Sequence, residues 1–356
     1  MTIRLIDAGR VSALRSQTIY HALAYAKTNT SPDTIVLSTP GEPYVCTGFH
    51  RSPDQEVDLE YCRINRLPII RRETGGGTVY IDDRQLFVQW IFEPDHLPRK
   101  IDNRFRLFCR PLIETYQFFG INAVFFPPND VHVRQRKIVG TGAASIGNAE
   151  VVTGNFLFDF DPAPMAGLLN VPGGRFREMV LEGMKKYMSS FRRELQNAPL
   201  PDEVKKIYLQ KCSTALDAEL EPGEFTDTER RIMTELDGKF SSPDWLFEHS
   251  AGVSGLRRVK IHADVWVSET TLQTENGPLV IQLRTKGNRI DDIAFSGNVG
   301  LQPADRLSGL ENALKQVELA ANPLREILEA FFELHRAQTP ERSIENWVEA
   351  LLKCRV

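Results

Sequence analysis

The chain has 356 residues, 42% hydrophobic and 25% charged, the proportions of a soluble globular protein longer than one typical domain. Its 43 basic and 47 acidic residues leave a formal net charge of −4, which gives no electrostatic case for nucleic acid, so any cationic site is local. There is no run of about 18 apolar residues to cross a membrane, and the charged start Met1–Arg10 does not read as a secretory leader, so a cytoplasmic location is expected.

Ser12 to Lys27 reads as a first helix, with Ile19, Leu23 and Ala26 at helical spacing and Ser12 as its cap. Thr34–Ser38 and Tyr44–Gly48 read as strands around the turn Pro40–Pro43. A short helix, Asp58–Arg66, leads to the apolar run Leu67–Ile70. Then comes Arg71-Arg72-Glu73-Thr74-Gly75-Gly76-Gly77-Thr78-Val79-Tyr80, followed by strand-like Val79–Ile81 and Phe87–Phe92. Ordering consecutive glycines costs backbone entropy, so the run needs a reason. Paired guanidinium groups at a strand end, then a glycine loop, suit an anion lying close to the backbone. A plain hairpin with solvated arginines fits the same residues.

Asn103–Phe119 is an amphipathic helix ending at Gly120, and Ala123–Phe126 is a strand stopped by Pro127-Pro128. Asn129-Asp130 reads as a turn ahead of a lysine-bearing strand, Arg136-Lys137-Ile138-Val139, which runs into Gly140-Thr141-Gly142-Ala143-Ala144. Val151–Asp161 alternates like another strand. Helices are expected at Phe176–Leu195, Leu200–Leu216 and Glu224–Gly238, with Pro243–Phe247 closing this part. Ala251–Gly255 is the best linker. Beyond it, Val259–Ser268, Leu279–Arg284 and Ile290–Phe295 read as strands, and Leu310–Phe331 as one or two helices interrupted at Asn322-Pro323. The expected domains are therefore 1–250 and 251–356, the second small and α+β.

Lys137 is the candidate catalytic cation, a compact charge before a small-residue run where a carboxylate or phosphate can approach the backbone. Asp130 could hold Mg2+ or position a nucleotide phosphate, since hard oxygen ligands suit that ion. A solvated strand lysine and an ordinary Asn-Asp turn fit the same positions. Five cysteines, Cys46, Cys62, Cys109, Cys212 and Cys354, are odd in number and far apart, and the seven histidines lack His-x3-His spacing, so neither a disulfide framework nor a zinc site is expected.

Taken together, these stretches resemble the lipoate-protein ligases of the biotin/lipoate protein ligase fold group, over about Ile3 to Phe247. Arg71 to Tyr80 matches the family's Arg-Arg-x-x-Gly-Gly-Gly-x-Val-(Tyr/Phe) motif, Asn129-Asp130 its Asn-Asp, and Lys137-Ile138-Val139-Gly140 its lysine motif. Gly48 with Gln55-Glu56-Val57, and Trp245, are similar to further family positions. Two positions depart: Ile81-Asp82 stands where His-Asp is usual, and Thr153-Gly154 where a histidine precedes the small residue.

The resemblance implies an α/β (α+β) fold, a mixed-sheet catalytic domain with a smaller α+β C-terminal domain. It implies an enzyme that activates lipoate with ATP and Mg2+ to lipoyl-AMP, then transfers the lipoyl group to a lysine of a lipoyl carrier domain. That carrier would be a 2-oxoacid dehydrogenase E2 or a glycine-cleavage H-like protein, and the small substrate lipoate or octanoate. Beside Lys137, it implies substrate and ATP contacts at Arg71, Arg72, Gly75, Gly76, Gly77, Thr78, Val79, Asn129, Asp130, Gly140, Gly142, Ala143, Thr153 and Gly154, with Asp130 also at the metal. The alternatives are an octanoyl or lipoyl transferase acting through a cysteine thioester, and a non-catalytic lipoyl-binding homologue.

Overall fold

The computed structural model describes residues 2–248, 257–273, 277–340 and 342–355. The expected linker Ala251–Gly255 lies outside them. The described residues fall into two compact units, drawn from Met1–Asn170 with Met188–Ala251 and from Val171–Tyr187 with Gly252–Val356. The helix Gly174–Tyr187, placed in the first domain by sequence, thus belongs to the second unit.

The first unit is built on a six-stranded mixed sheet in the order Thr141–Ile146, Ala149–Leu157, Gln85–Phe92, Thr34–Pro40, Thr2–Val11, Glu219–Pro222. The first three pairings are antiparallel and the last two parallel. Gln85–Phe92 is buried at every position because it lies inside the sheet with both faces covered. Alternation sends Leu86, Val88 and Trp90 into one core with Phe108, Leu112 and Tyr116 of the helix Ile101–Phe118, and with Tyr208 of the helix Pro201–Leu216. Phe87 and Ile91 enter the other core, with Ile19 and Leu23 of the helix Ala13–Ala26 and Met233 and Leu236 of the helix Asp227–Phe240.

On this second face lies a three-stranded sheet, Ile69–Arg71, Tyr44–Thr47, Val79–Ile81, whose Ile70, Tyr44, Cys46 and Ile81 join the same core. The antiparallel sheet Val124–Phe126, Asp130–Val133, Arg136–Val139 carries Lys137. Its second turn is at Arg134-Gln135, with φ of +46° and +65°; Asn129 lies in the preceding turn and Asp130 opens a strand. The expected helix Phe176–Leu195 breaks after Tyr187, because Ser189 donates its N–H to the Lys137 carbonyl (2.8 Å) before the short helix Phe191–Glu194.

The second unit holds a four-stranded antiparallel meander, Arg257–His262, Val265–Leu272, Leu279–Lys286, Arg289–Gly297. The single strand expected at Val259–Ser268 is a hairpin. Asn322-Pro323 interrupts nothing: it sits in the first turn of the helix Ala321–His335, where a missing N–H is tolerated. A further helix, Ile344–Leu352, follows a Ser343 cap. No described helix is long and apolar enough to cross a membrane.

Candidate active site

The glycine loop is held from several directions. Arg72 donates to the carbonyls of Gly75 (2.8 Å) and Gly77 (3.0 Å), and with its other nitrogen to the Cys46 carbonyl (3.1 Å). Among the described residues no acceptor meets the N–H of Gly75, Gly76 or Gly77. Successive free N–H groups in a concave loop make a backbone receptor for anionic oxygen. Gly76 has φ of +103°, a conformation L side chains rarely adopt. Thr78 donates to the Glu56 carboxylate (2.6 Å), and Val79 is exposed beside it.

Gly48 makes the close approach. A Cβ there would stand 2.2 Å from the Gly76 carbonyl oxygen and 3.2 Å from the Gly75 carbonyl carbon, both backbone atoms that yield only if the loop shifts. Cβ atoms at Gly75 and Gly77 would meet nothing within 4 Å. Gly48→Ala is therefore expected to destabilise the fold by about 2 kcal/mol, whereas Gly75→Ala stays within about 0.5 kcal/mol. Thermal melts of the two variants check this; equal melting temperatures would remove the crowding at Gly48 as its cause.

Arg71, expected at the anion, is fully buried: Nε donates to the Trp245 carbonyl (2.8 Å), Nη1 to the Phe49 carbonyl (2.9 Å), and Nη2 pairs with Glu248. Its guanidinium lies 3.9 Å from the Trp245 ring centroid, and the Trp245 indole N–H returns a bond to the Arg71 carbonyl (2.9 Å). Arg71 thus fastens residues 245–248 to the strand entering the loop. Arg72, expected beside it, spends donors on the loop's own carbonyls.

The Lys137 side chain is 19% exposed, and its Nζ lies 2.8 Å from Oδ1 of Asp130, whose own side chain is 3% exposed. Asp130 is the lysine's counter-ion. Asn129 and Thr141 exchange hydrogen bonds, the side chain of each donating to the backbone carbonyl of the other. Gly140, where the chain passes from the small sheet to the large one, donates to the Asn155 side chain (2.9 Å), and Asn155 donates on to Gln85 (2.8 Å).

The strand Ala149–Leu157 divides the remaining expected residues between its faces. Val151 joins the core beneath the glycine-loop sheet, so Thr153 and Asn155 share that face, and Thr153 Oγ1 lies 3.5 Å from the Gly142 carbonyl. Gly154 faces the other way: a Cβ would stand 2.7 Å from Phe108, so this glycine serves helix packing. Ala143 packs into that same core. The usual histidine positions hold Ile81, a core residue, and Thr153, while Asp82 pairs with Arg84. Sequence reasoning did not find Asn155, Gln85, His21 or Glu248, whose partners lie far away in the chain.

Residues 14–213, more than half of the 356, match the lipoyl protein ligase A/B catalytic domain family. The chain belongs to that family. Octanoyltransferase LipM of Kyrpidia tusciae is 25% identical over 270 residues, 68% of this chain and 98% of that protein. Lipoate-protein ligase A subunit 1 of Thermoplasma acidophilum is 25% identical over 212 residues, 56% of this chain and 79% of that protein. Among solved structures, the bi-partite lipoate protein ligase of Thermoplasma acidophilum, described with its E2 lipoyl domain, superposes with a TM-score of 0.64 at 22% identity. It covers 71% of this chain and 99% of that one. That likeness shows the mixed-sheet lipoate ligase fold. The family holds proteins named for ligation and for octanoyl transfer.

Proposed function

We propose that the chain is an ATP-dependent lipoate-protein ligase. The observation that carries this reading is the state of its thiols. All five cysteines are buried. Burial pushes Cys62 up to about 11, and Cys109 and Cys354 up to about 12. It also raises Cys212 and, against the pull of nearby Arg72, Cys46. Transfer through a thioester needs an accessible thiolate near neutral pH, and these environments oppose one. Adenylation needs no protein nucleophile.

In this reading a lipoate carboxylate oxygen attacks the α-phosphorus of ATP, and pyrophosphate leaves. The amine of a carrier lysine then attacks the carbonyl of the mixed anhydride, and AMP leaves. Lys137 meets charge growing on the phosphoryl and carbonyl oxygens, Asp130 keeps its ammonium aimed, and the N–H groups of Gly75, Gly76 and Gly77 take anionic oxygen of the acyl-adenylate. Gly142 and Thr153 supply the small-residue strand surface on the loop's side of the sheet. Oδ1 of Asp130 is held by the Lys137 ammonium at 2.8 Å. Mg2+ would arrive on ATP as part of the substrate. The acceptor would be a lipoyl carrier domain, either of the E2 kind that the Thermoplasma acidophilum structure's description names or of the H-protein kind.

ATP–pyrophosphate exchange with lipoate and octanoate tests the reading. The parent and each Cys→Ala variant are expected to exchange, with no acyl transfer from an octanoylated carrier when ATP is omitted. ATP-free transfer that one Cys→Ala change abolishes would establish the thioester route instead.

A further inference from the structure

The glycine loop is fixed not only by its arginines but by a histidine from the first helix. His21 lies on Ala13–Ala26 and is fully buried. Its Nδ1 is 2.7 Å from the Gln17 carbonyl oxygen, and a carbonyl only accepts. Its Nε2 is 3.2 Å from the Glu73 backbone nitrogen, and an amide N–H only donates. One ring meets both demands: neutral, with the proton on Nδ1 and a lone pair on Nε2. Tyr20, at 4.1 Å between ring centroids, and Phe240, edge-on at 4.9 Å, hold its plane.

We propose that His21 is a positioning residue for the glycine loop, accepting the Glu73 peptide N–H and thereby fixing the Arg72–Glu73 peptide from which the loop departs. The proposal rests on the reading of that loop as the acyl-adenylate site. Glu73 stands between Arg72 and Thr74, at the entry to the glycines. Its carboxylate is held as well, accepting from the Tyr25 hydroxyl (2.8 Å) and the Lys239 ammonium (2.9 Å). Those contacts locate the Glu73 side chain, while His21 alone of the three fixes its peptide plane. That plane carries the Arg72 carbonyl with the Glu73 N–H and sets where the chain enters the loop, and the Thr74 carbonyl, accepting from the Phe49 N–H (3.1 Å), then fixes the plane that carries the Gly75 N–H.

The charged groups facing the ring are Glu73, Lys239 and Arg72. Burial holds the imidazole down to about 4, with Lys239 and Arg72 opposing protonation, while the Gln17 carbonyl and Glu73 favour it. A ring with a depressed folded value contributes stability that is present above the unfolded value near 6.5 and lost as pH falls from there toward 4. At neutral pH the acceptor is thus always available.

The test uses backbone amide exchange together with kinetics. Gln places an amide oxygen near the position of Nε2, whereas Asn reaches only as far as Nδ1. In His21→Asn the Glu73 amide is expected to exchange about tenfold faster, and KM for lipoate to rise about tenfold, with protection in the central strand Gln85–Phe92 unchanged. His21→Gln is expected to restore both. Equal Glu73 exchange in parent, Asn and Gln variants overturns the proposal, as does a uniform loss of protection that Gln does not repair. Should the Asn variant not fold, the parent's ring nitrogens in an NMR titration decide: a bare Nε2 throughout pH 5.5 to 8 is expected, and titration near 6.5 would overturn it. Amide exchange needs no turnover, so its result stands apart from whether the chain ligates or transfers.

Discussion

Lys137→Ala is expected to slow ATP–pyrophosphate exchange by about a hundredfold or more, since removing one charge-assisted contact to a transition-state oxygen costs about 3 kcal/mol. The variant is also expected to be less stable. Asp130 is 2% exposed and its Oδ1 meets the lysine at 2.8 Å, so removing the ammonium takes a charged partner from a buried carboxylate. Breaking a buried pair in this way costs about 3–5 kcal/mol, with the lower end appropriate to a lysine still partly open to solvent. A loss of activity alone would therefore be ambiguous. The double variant Lys137→Ala with Asp130→Asn separates the effects: deleting the charge that needed a partner should recover most of the melting temperature and none of the exchange. Should the double variant exchange at near-parental rate, Lys137 acts only as Asp130's counter-ion and the catalytic assignment is lost.

How much of this site could be read from the sequence depended on how far apart its partners lie. The Ser12 cap, the strands flanking the glycine loop and the helix before Gly120 are local, and they stand where spacing places them. The fate of the arginines is not local. Arg71 is buried because Trp245, 174 positions later, returns to exchange hydrogen bonds with it, and nothing in the Arg-Arg motif announces that partner. His21 gave no signal beyond being a histidine on a helix. One miss was local. The helix Ile344–Leu352 had its signal in plain view, a serine cap followed by Trp347, Val348 and Leu351 on one face.

Cutting the chain after Ser250 is expected to cripple both halves. The helix Gly174–Tyr187 would remain in the first piece, yet its partners lie in the second. A Cβ at Gly183 would stand 2.3 Å from the Ile261 side chain, so the helix and the strand Arg257–His262 are in close contact through that glycine. Arg284 donates to the Met179 carbonyl (3.0 Å). Asp291 accepts from Lys186 (2.6 Å) and the Tyr187 hydroxyl (2.7 Å) as well as from Arg284 (2.6 Å). Burial works to raise the Asp291 carboxyl, but these donors hold it below its ordinary range, so the helix's contribution is present above the usual carboxylate pKa and fades as pH falls below it. Hydrogen bonds to charged groups are worth about 1.5–3 kcal/mol each, so removing the helix from the second unit should cost about 3 kcal/mol or more. In a domain of this size that corresponds to a fall of about 10 °C or more in melting temperature. A fragment of residues 252–356 should accordingly melt lower than the same fragment with residues 171–187 fused ahead of it, and the gap should narrow toward pH 3. In the cut piece 1–250, limited proteolysis should nick first within 171–187. Equal melting of the two fragments, together with a protease-resistant helix in the 1–250 piece, would return Gly174–Tyr187 to the first domain and restore a boundary at the linker.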